Sequence, residues 1–164
     1  MKRISLFFLT LILVGCSKNE ENAPPVVDNF EPINIVPTLI SKRNTISPSV
    51  NLEEQKTIYS QTSNWQALIN QIDSFYQTGG INFTATYFTE TNIDFQSFTV
   101  IAVFDQIYGN GGHSIDITNI VEYETNIVVT VQSLQTGNTS SVVTQPYHIV
   151  KIPITTKPIV FEEL

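Results

Sequence analysis

Cysteine, basic residues and long apolar runs are all scarce in this chain of 164 residues. Cys16 is its single cysteine, so no disulfide within the chain can stabilise the fold, which must depend on buried apolar side chains. The 8 lysines and arginines face 15 acidic residues, which gives a formal net charge of −7. Binding to a phosphate backbone requires clustered positive charge, so nucleic-acid binding is not expected.

The one long apolar run lies at the N-terminus and is too short to cross a bilayer. It covers residues 4–14, directly after the basic Lys2 and Arg3, whereas a spanning helix needs about 20 apolar residues. The sequence Leu-Val-Gly immediately before Cys16 has the form of a bacterial lipobox. We therefore expect residues 1–15 to be a lipoprotein signal peptide and the Cys16 thiol to carry the lipid. The alternative is an ordinary signal peptide that contains a cysteine.

The stretch after the lipobox has the composition of a tether. Residues 16–35 are polar and charged and contain Pro24 and Pro25, a composition that does not favour a packed core. We expect them to join the lipid to one domain, residues 36–164. Ser17 after the cysteine resembles lipoproteins sorted to the outer membrane, so the expected location is the outer membrane of the bacterial cell envelope, on its periplasmic or its surface-exposed side. The acidic charge opposes adhesion to anionic lipid, which leaves the acyl anchor as the expected membrane contact.

One amphipathic helix is indicated by apolar residues that recur at helical spacing. These residues are Trp65, Leu68, Ile69, Ile72 and Phe75. Ser63 is expected to cap the helix, with Gln66 three residues later as in a capping box, and the glycines within residues 78–80 are expected to end it. The apolar stripe is expected to pack on a sheet.

Six segments after the helix are rich in β-branched and aromatic residues and are bounded by turn residues, as strands are. They are residues 81–88, 98–104, 112–123, 126–132, 146–152 and 157–161. Residues 124–126 predict a hairpin turn, residues 33–37 allow an edge strand, and residues 51–60 fit either helix or strand. The predicted fold class is α+β, a mainly antiparallel β-sheet with one packed amphipathic helix.

A glycine-rich loop, residues 105–113, lies between two of the predicted strands. Its glycines allow a tight reversal or a close backbone approach. Loops on a rigid sheet commonly carry recognition, and tyrosine offers an apolar face with a polar tip. The candidate partner-binding residues are therefore Tyr108, Gly109, Asn110, Gly111, Gly112 and His113. The alternative is a hairpin turn that needs glycine to close.

Residues for catalysis or metal binding are few. His113 and Ser114 are neighbours in a strand-like segment and should point to opposite sides, so they cannot share the hydrogen bond that activates a nucleophile. The two histidines and Asp116 could meet across a sheet, but their spacing does not require it. The glycine run also lacks a nucleotide-binding fingerprint. We expect no enzyme activity, metal or cofactor. We expect His148 to be a hydrogen-bonded strand histidine, and of Tyr147 and His148 we expect one to face the core and the other to face solvent.

Four short motifs follow one another in the C-terminal half. They are Ile93-Asp94-Phe95, residues 111–117 (Gly-Gly-His-Ser-Ile-Asp-Ile), residues 143–153 (Val-Thr-Gln-Pro-Tyr-His-Ile-Val-Lys-Ile-Pro) and residues 157–161 (Lys-Pro-Ile-Val-Phe). Because these four motifs occur in this order, residues 93–161 resemble the C-terminal domain of the protease complex subunit PrcB family. His113 stands where that family usually has another aromatic residue, and residues 105–110 lack a proline often found there.

The resemblance implies a lipid-anchored, non-catalytic accessory subunit that stabilises or positions a secreted or surface protease. Two alternatives stay open. The first is a protease inhibitor that inserts residues 105–113 into a protease cleft. The second is an orphan surface module that binds glycan or peptide.

Overall fold

The computed structural model describes residues 30–44, 46–50 and 52–164. The predicted signal peptide, Cys16 and most of the predicted tether lie outside these residues. The strands are β1 (Ile33–Asn34), β2 (Thr38–Arg43), β3 (Gln55–Tyr59), β4 (Phe98–Phe104), β5 (Asp116–Glu122), β6 (Ile127–Gln132), β7 (Tyr147–Pro153) and β8 (Ile159–Glu163). The helices are α1 (Thr62–Gln77) and α2 (Phe83–Tyr87), and a 3-10 turn covers Pro48–Val50. Within the described ranges, no helix is long and apolar enough to cross a membrane.

The strands form two sheets that pack against each other, with the helices on one side. The central sheet has the order β2-β7-β4-β3, and the outer sheet has the order β1-β5-β6-β8. All pairs are antiparallel except β6 and β8, which run parallel. The predicted α+β class, mainly antiparallel with a packed amphipathic helix, is confirmed.

Strand β4 is buried on both faces because it lies in the middle layer. Val100, Ala102 and Phe104 pack in the cluster that contains the helix side chains. Ile101 and Val103, which alternate with them, pack in the cluster against the outer sheet. The period of two along a strand therefore assigns its residues to two separate cores. This explains why the predicted strand 98–104 is apolar at every position except Thr99, and the structure confirms its bounds.

Helix α1 buries the predicted apolar stripe. Trp65, Leu68, Ile69 and Ile72 are buried and Phe75 packs against the same cluster. The Trp65 Nε1–H also donates a hydrogen bond to the Thr91 carbonyl oxygen over 2.8 Å. The predicted cap is wrong, because the helix begins at Thr62, with Gln61 as an N-cap that makes no side-chain hydrogen bond, and Ser63 lies inside it. The Gln66 amide donates to Asn70 and not back to the helix start.

The prediction of a strand at residues 81–88 is wrong, because this segment contains helix α2. Its alternating aromatic and threonine residues favour a strand locally, but contacts from elsewhere decide otherwise. The Asn82 side chain caps the helix by accepting from the Ala85 N–H, and the Asp73 carboxylate accepts from the Thr84 N–H and hydroxyl. Phe83 stacks on Tyr76 of α1 with ring centroids 4.3 Å apart. Tertiary contacts therefore override the local preference.

The remaining strand predictions have mixed outcomes. The hairpin at residues 124–126 is confirmed, since Tyr123 N–H donates to the Asn126 carbonyl between β5 and β6. Residues 33–37 contain the edge strand β1, and residues 51–60 contain β3. Both Tyr147 and His148 are buried, so the expectation that one faces solvent is wrong. Their strand lies between two packed layers, which leaves neither face exposed.

Candidate partner-binding surface

The glycine-rich loop, residues 105–113, is held by a second loop, residues 134–144. We call the two together the loop pair. Tyr108 and Thr144 exchange two backbone hydrogen bonds of 2.8 and 3.0 Å. Further along, the Gly111 N–H donates to the Ser140 carbonyl and the Asn138 N–H donates to the Gly111 carbonyl. The first loop connects β4 and β5, which belong to different sheets, so the alternative of a simple hairpin turn is wrong.

Two of the predicted site residues form an aromatic stack inside the loop pair. The rings of Tyr108 and His113 lie parallel, with centroids 3.6 Å apart and an interplanar angle of 6°. The Tyr108 hydroxyl donates to the Asp105 carboxylate over 3.0 Å. Burial raises the pKa of Tyr108, and the nearby Asp105 charge acts in the same direction. A hydrogen bond of 3.0 Å joins His113 Nε2 to Asn110 Oδ1.

The glycines of the loop pair differ in what they require. Gly112 and Gly137 have positive φ angles of 78° and 102°, which other residues rarely adopt. A Cβ atom at Gly137 would lie 2.4 Å from His113 Nε2, and one at Gly112 would lie 2.5 Å from the Asn138 amide. Gly109, by contrast, has open space around the position of a Cβ. The predicted close backbone approach therefore occurs between the two loops.

Gly137→Ala should disrupt the aromatic stack, whereas Gly109→Ala should leave it intact. The first change combines a strained φ with a clash against His113, so we expect a loss of about 1–3 kcal/mol in the free energy of unfolding. Denaturant unfolding of both variants, with NMR shifts of the Tyr108 and His113 ring protons, measures this. Equal effects from the two substitutions would contradict the packing described here.

The exposed part of the loop pair mixes aliphatic with uncharged polar side chains and carries little charge. Four aliphatic side chains are exposed, Ile107 by 50%, Leu134 by 64%, and Val142 and Val143 each by 52%. Apart from His113, residues 106–113 and 134–144 contain no ionisable side chain other than the Tyr108 phenol. This surface is therefore an uncharged patch on an acidic protein.

A buried carboxylate fastens the base of the loop pair to both sheets. Asp116 accepts hydrogen bonds from the Ser114 hydroxyl over 2.5 Å and from the Leu134 N–H over 3.3 Å, and it forms an ion pair with Lys42 of β2. Ser114 Oγ in turn accepts from the Gln135 N–H. Burial alone raises the pKa of Asp116, but the bonds from Lys42, Ser114 and Leu134 and the Lys42 charge outweigh it and lower that pKa overall.

His148 lies beside this group on β7. Its Nδ1 accepts a 2.9 Å hydrogen bond from the Ile117 N–H, so the predicted hydrogen-bonded strand histidine is confirmed. Burial lowers the pKa of His148 from 6.5 to about 4, Lys42 acts in the same direction, and Asp116 opposes both. The imidazole is therefore neutral at pH 7 and joins the central sheet to the outer sheet.

Stability should fall on acidification because of His148. Its folded-state pKa lies below the unfolded value, so the unfolded chain binds more protons between pH 6.5 and about 4. The contribution lost across this window is up to about 3 kcal/mol in the free energy of unfolding. His148→Asn keeps an acceptor for the Ile117 N–H but cannot titrate. Urea unfolding at several pH values should give a shallower slope for this variant, and an unchanged slope would contradict the assignment.

The serine, histidine and aspartate side chains that a catalytic triad would need belong to separate hydrogen-bonded groups. Ser114 donates to Asp116, His113 is joined to Asn110, and His148 accepts from Ile117. Asp105 and Asp94 accept from Tyr108 and Ser97, respectively. Among the described residues, no group of three or more His, Cys, Asp or Glu side chains could hold a metal ion.

Sequence reasoning finds the first loop of the pair but misses the second. Residues 134–141 look like a polar connection of low apolar content, and nothing local relates them to Gly111 or His113. The sequence feature that could have indicated the second loop is Thr-Gly-Asn at residues 136–138, a turn pattern as strong as the one in the first loop. The contact between the two loops depends on the order of the strands in the sheets, and a turn pattern does not indicate that order.

Comparison with known proteins leaves the family open. No family model matches this chain, and no curated protein or solved structure matches it. The resemblance of residues 93–161 to the PrcB family therefore stays a prediction.

Proposed function

We propose that this protein is a non-catalytic binding protein, anchored in the bacterial cell envelope by lipid on Cys16, that recognises a protein partner with its loop pair. The observation that carries the proposal is the exposure of Ile107, Leu134, Val142 and Val143 on loops whose backbones are bonded to each other. Ordered loops lose little conformational entropy on binding, and exposed apolar clusters are common at protein interfaces.

A protein partner suits this surface better than a glycan. One face of the Tyr108 ring is covered by His113, which leaves less of it for stacking against a sugar. The Asn110 amide is also occupied, since its Nδ2 donates to the Asn138 carbonyl and its Oδ1 contacts His113. The exposed side chains of the loop pair include four aliphatic ones, and these favour an apolar protein surface.

A secreted or surface protease is the partner that the PrcB resemblance implies, and the loop contacts favour an accessory role over inhibition. An inhibitor that enters a protease cleft needs a protruding segment whose backbone can pair with the enzyme. Here the Tyr108 and Gly111 backbones already pair with Thr144, Ser140 and Asn138. The first loop is therefore part of a broad surface, which suits stabilising or positioning a partner.

A pull-down from native envelope extract, followed by protease assay of the retained material, tests this proposal. The wild-type chain should retain a partner with its activity intact. Ile107→Asp should lose most of the retention, because a buried unpaired charge at an interface is strongly unfavourable. The double variant Tyr108→Ala, His113→Ala should also lose retention through collapse of the stack.

The matched control is Ile81→Asp, an equally drastic change at an exposed isoleucine after helix α1. It should retain the partner as the wild type does. Retention of the partner by Ile107→Asp would overturn the assignment of the surface. A retained protease that has lost its activity would support the inhibitor alternative, and retention of no protein together with binding to a glycan array would support the orphan module.

A further inference from the structure

The end of the outer sheet away from the loop pair also exposes large apolar side chains. Strand β5 runs from Asp116 at the base of the loop pair to Glu122, a distance of roughly 20 Å for a strand of this length. Around its far end, Phe30 is 37% exposed, Ile33 53% and Tyr123 41%. Ile154, 54% exposed, follows the corresponding end of β7. We call these four residues the tether end.

Lys157 contacts two of the tether-end residues, the ring of Phe30 and the main chain of Tyr123. The Lys157 ammonium lies 4.5 Å from the centroid of the Phe30 ring and donates to the Tyr123 carbonyl over 2.7 Å. It also pairs with Glu122 over 2.7 Å. Exposed aromatic side chains together with a lysine are a combination found where proteins meet the headgroup region of a bilayer.

The chain enters the domain at this same end. Phe30 follows Cys16 by 30 − 16 = 14 residues, which can span at most roughly 50 Å when fully extended. If Cys16 carries the lipid, the tether end is the part of the domain closest along the chain to the membrane. The loop pair lies at the opposite end of β5.

We propose that the tether end rests on the surface of the lipid bilayer and directs the loop pair away from it. This inference depends on the lipidation of Cys16 in the proposed function. Glu122 pairs with Lys157, and Glu31 and Glu124 directly follow Phe30 and Tyr123 in the sequence, so this end is acidic overall. Anionic headgroups would be repelled, so the expected surface is zwitterionic lipid.

Quenching by brominated lipid tests the contact. The lipidated mature chain, which begins at Cys16, is reconstituted in vesicles of phosphatidylcholine with brominated acyl chains, as Tyr123→Trp and, for comparison, as Val142→Trp. Both positions are exposed and lie at opposite ends of the domain. The native Trp65 is 1% exposed in the core and gives the same background in both. We expect fluorescence to fall for Tyr123→Trp and to stay unchanged for Val142→Trp.

Four further measurements separate the possible results. Adding an anionic lipid should reduce the quenching, and Cys16→Ala should leave the membrane fraction.

If Tyr123→Trp is not quenched while the wild type still floats with vesicles, the anchor stands and the bilayer contact is overturned. Protection of Tyr123→Trp from iodide without quenching by bromine would assign this end to a second copy of the chain. If the wild type does not float, the anchor fails and the contact fails with it, whatever the pull-down shows of the loop pair.

Discussion

The carboxylate of Asp116 is the interaction on which the position of the loop pair depends. It is buried, it pairs with Lys42 of the central sheet, and it accepts from Ser114 and from the Leu134 backbone at the start of the second loop. A buried carboxylate is tolerated only when its lone pairs are satisfied. One side chain therefore ties both sheets and the second loop into a single arrangement, and the uncharged outward surface depends on it.

The helices, the central sheet and the outer sheet form three packed layers, and these give that arrangement a rigid base. Because the central sheet is covered on both faces, its strands bury one set of side chains under the helices and another under the outer sheet. The buried Gln145 amide, at the end of the second loop, donates to the carbonyls of Leu52 and Asp105 and so fixes the loops to the segment before β3. Aliphatic residues that would be unfavourable on a mobile loop can thus be displayed as an ordered surface.

Local patterns predicted the parts of the fold that local interactions decide. The stripe from Trp65 to Ile72 and the run of β4 were predicted because period and length alone determine them. Helix α2 was missed because Asp73 and Tyr76, on another element, decide its conformation. The glycines of the first loop were identified as a site of close approach, but their partner lies near Asn138, across two intervening strands. Residues that meet only through sheet topology, such as Lys42 and Asp116, leave no spacing signal in the chain.

Amide hydrogen exchange of the intact chain tests most directly whether the two loops form one ordered surface. The account predicts that the amides of Gly111, Asn138 and Thr144 exchange as slowly as those of neighbouring β5, since each donates to the opposite loop and opens only with it. Exchange of these three amides at the rate of an unprotected loop, while β5 stays protected, would contradict it.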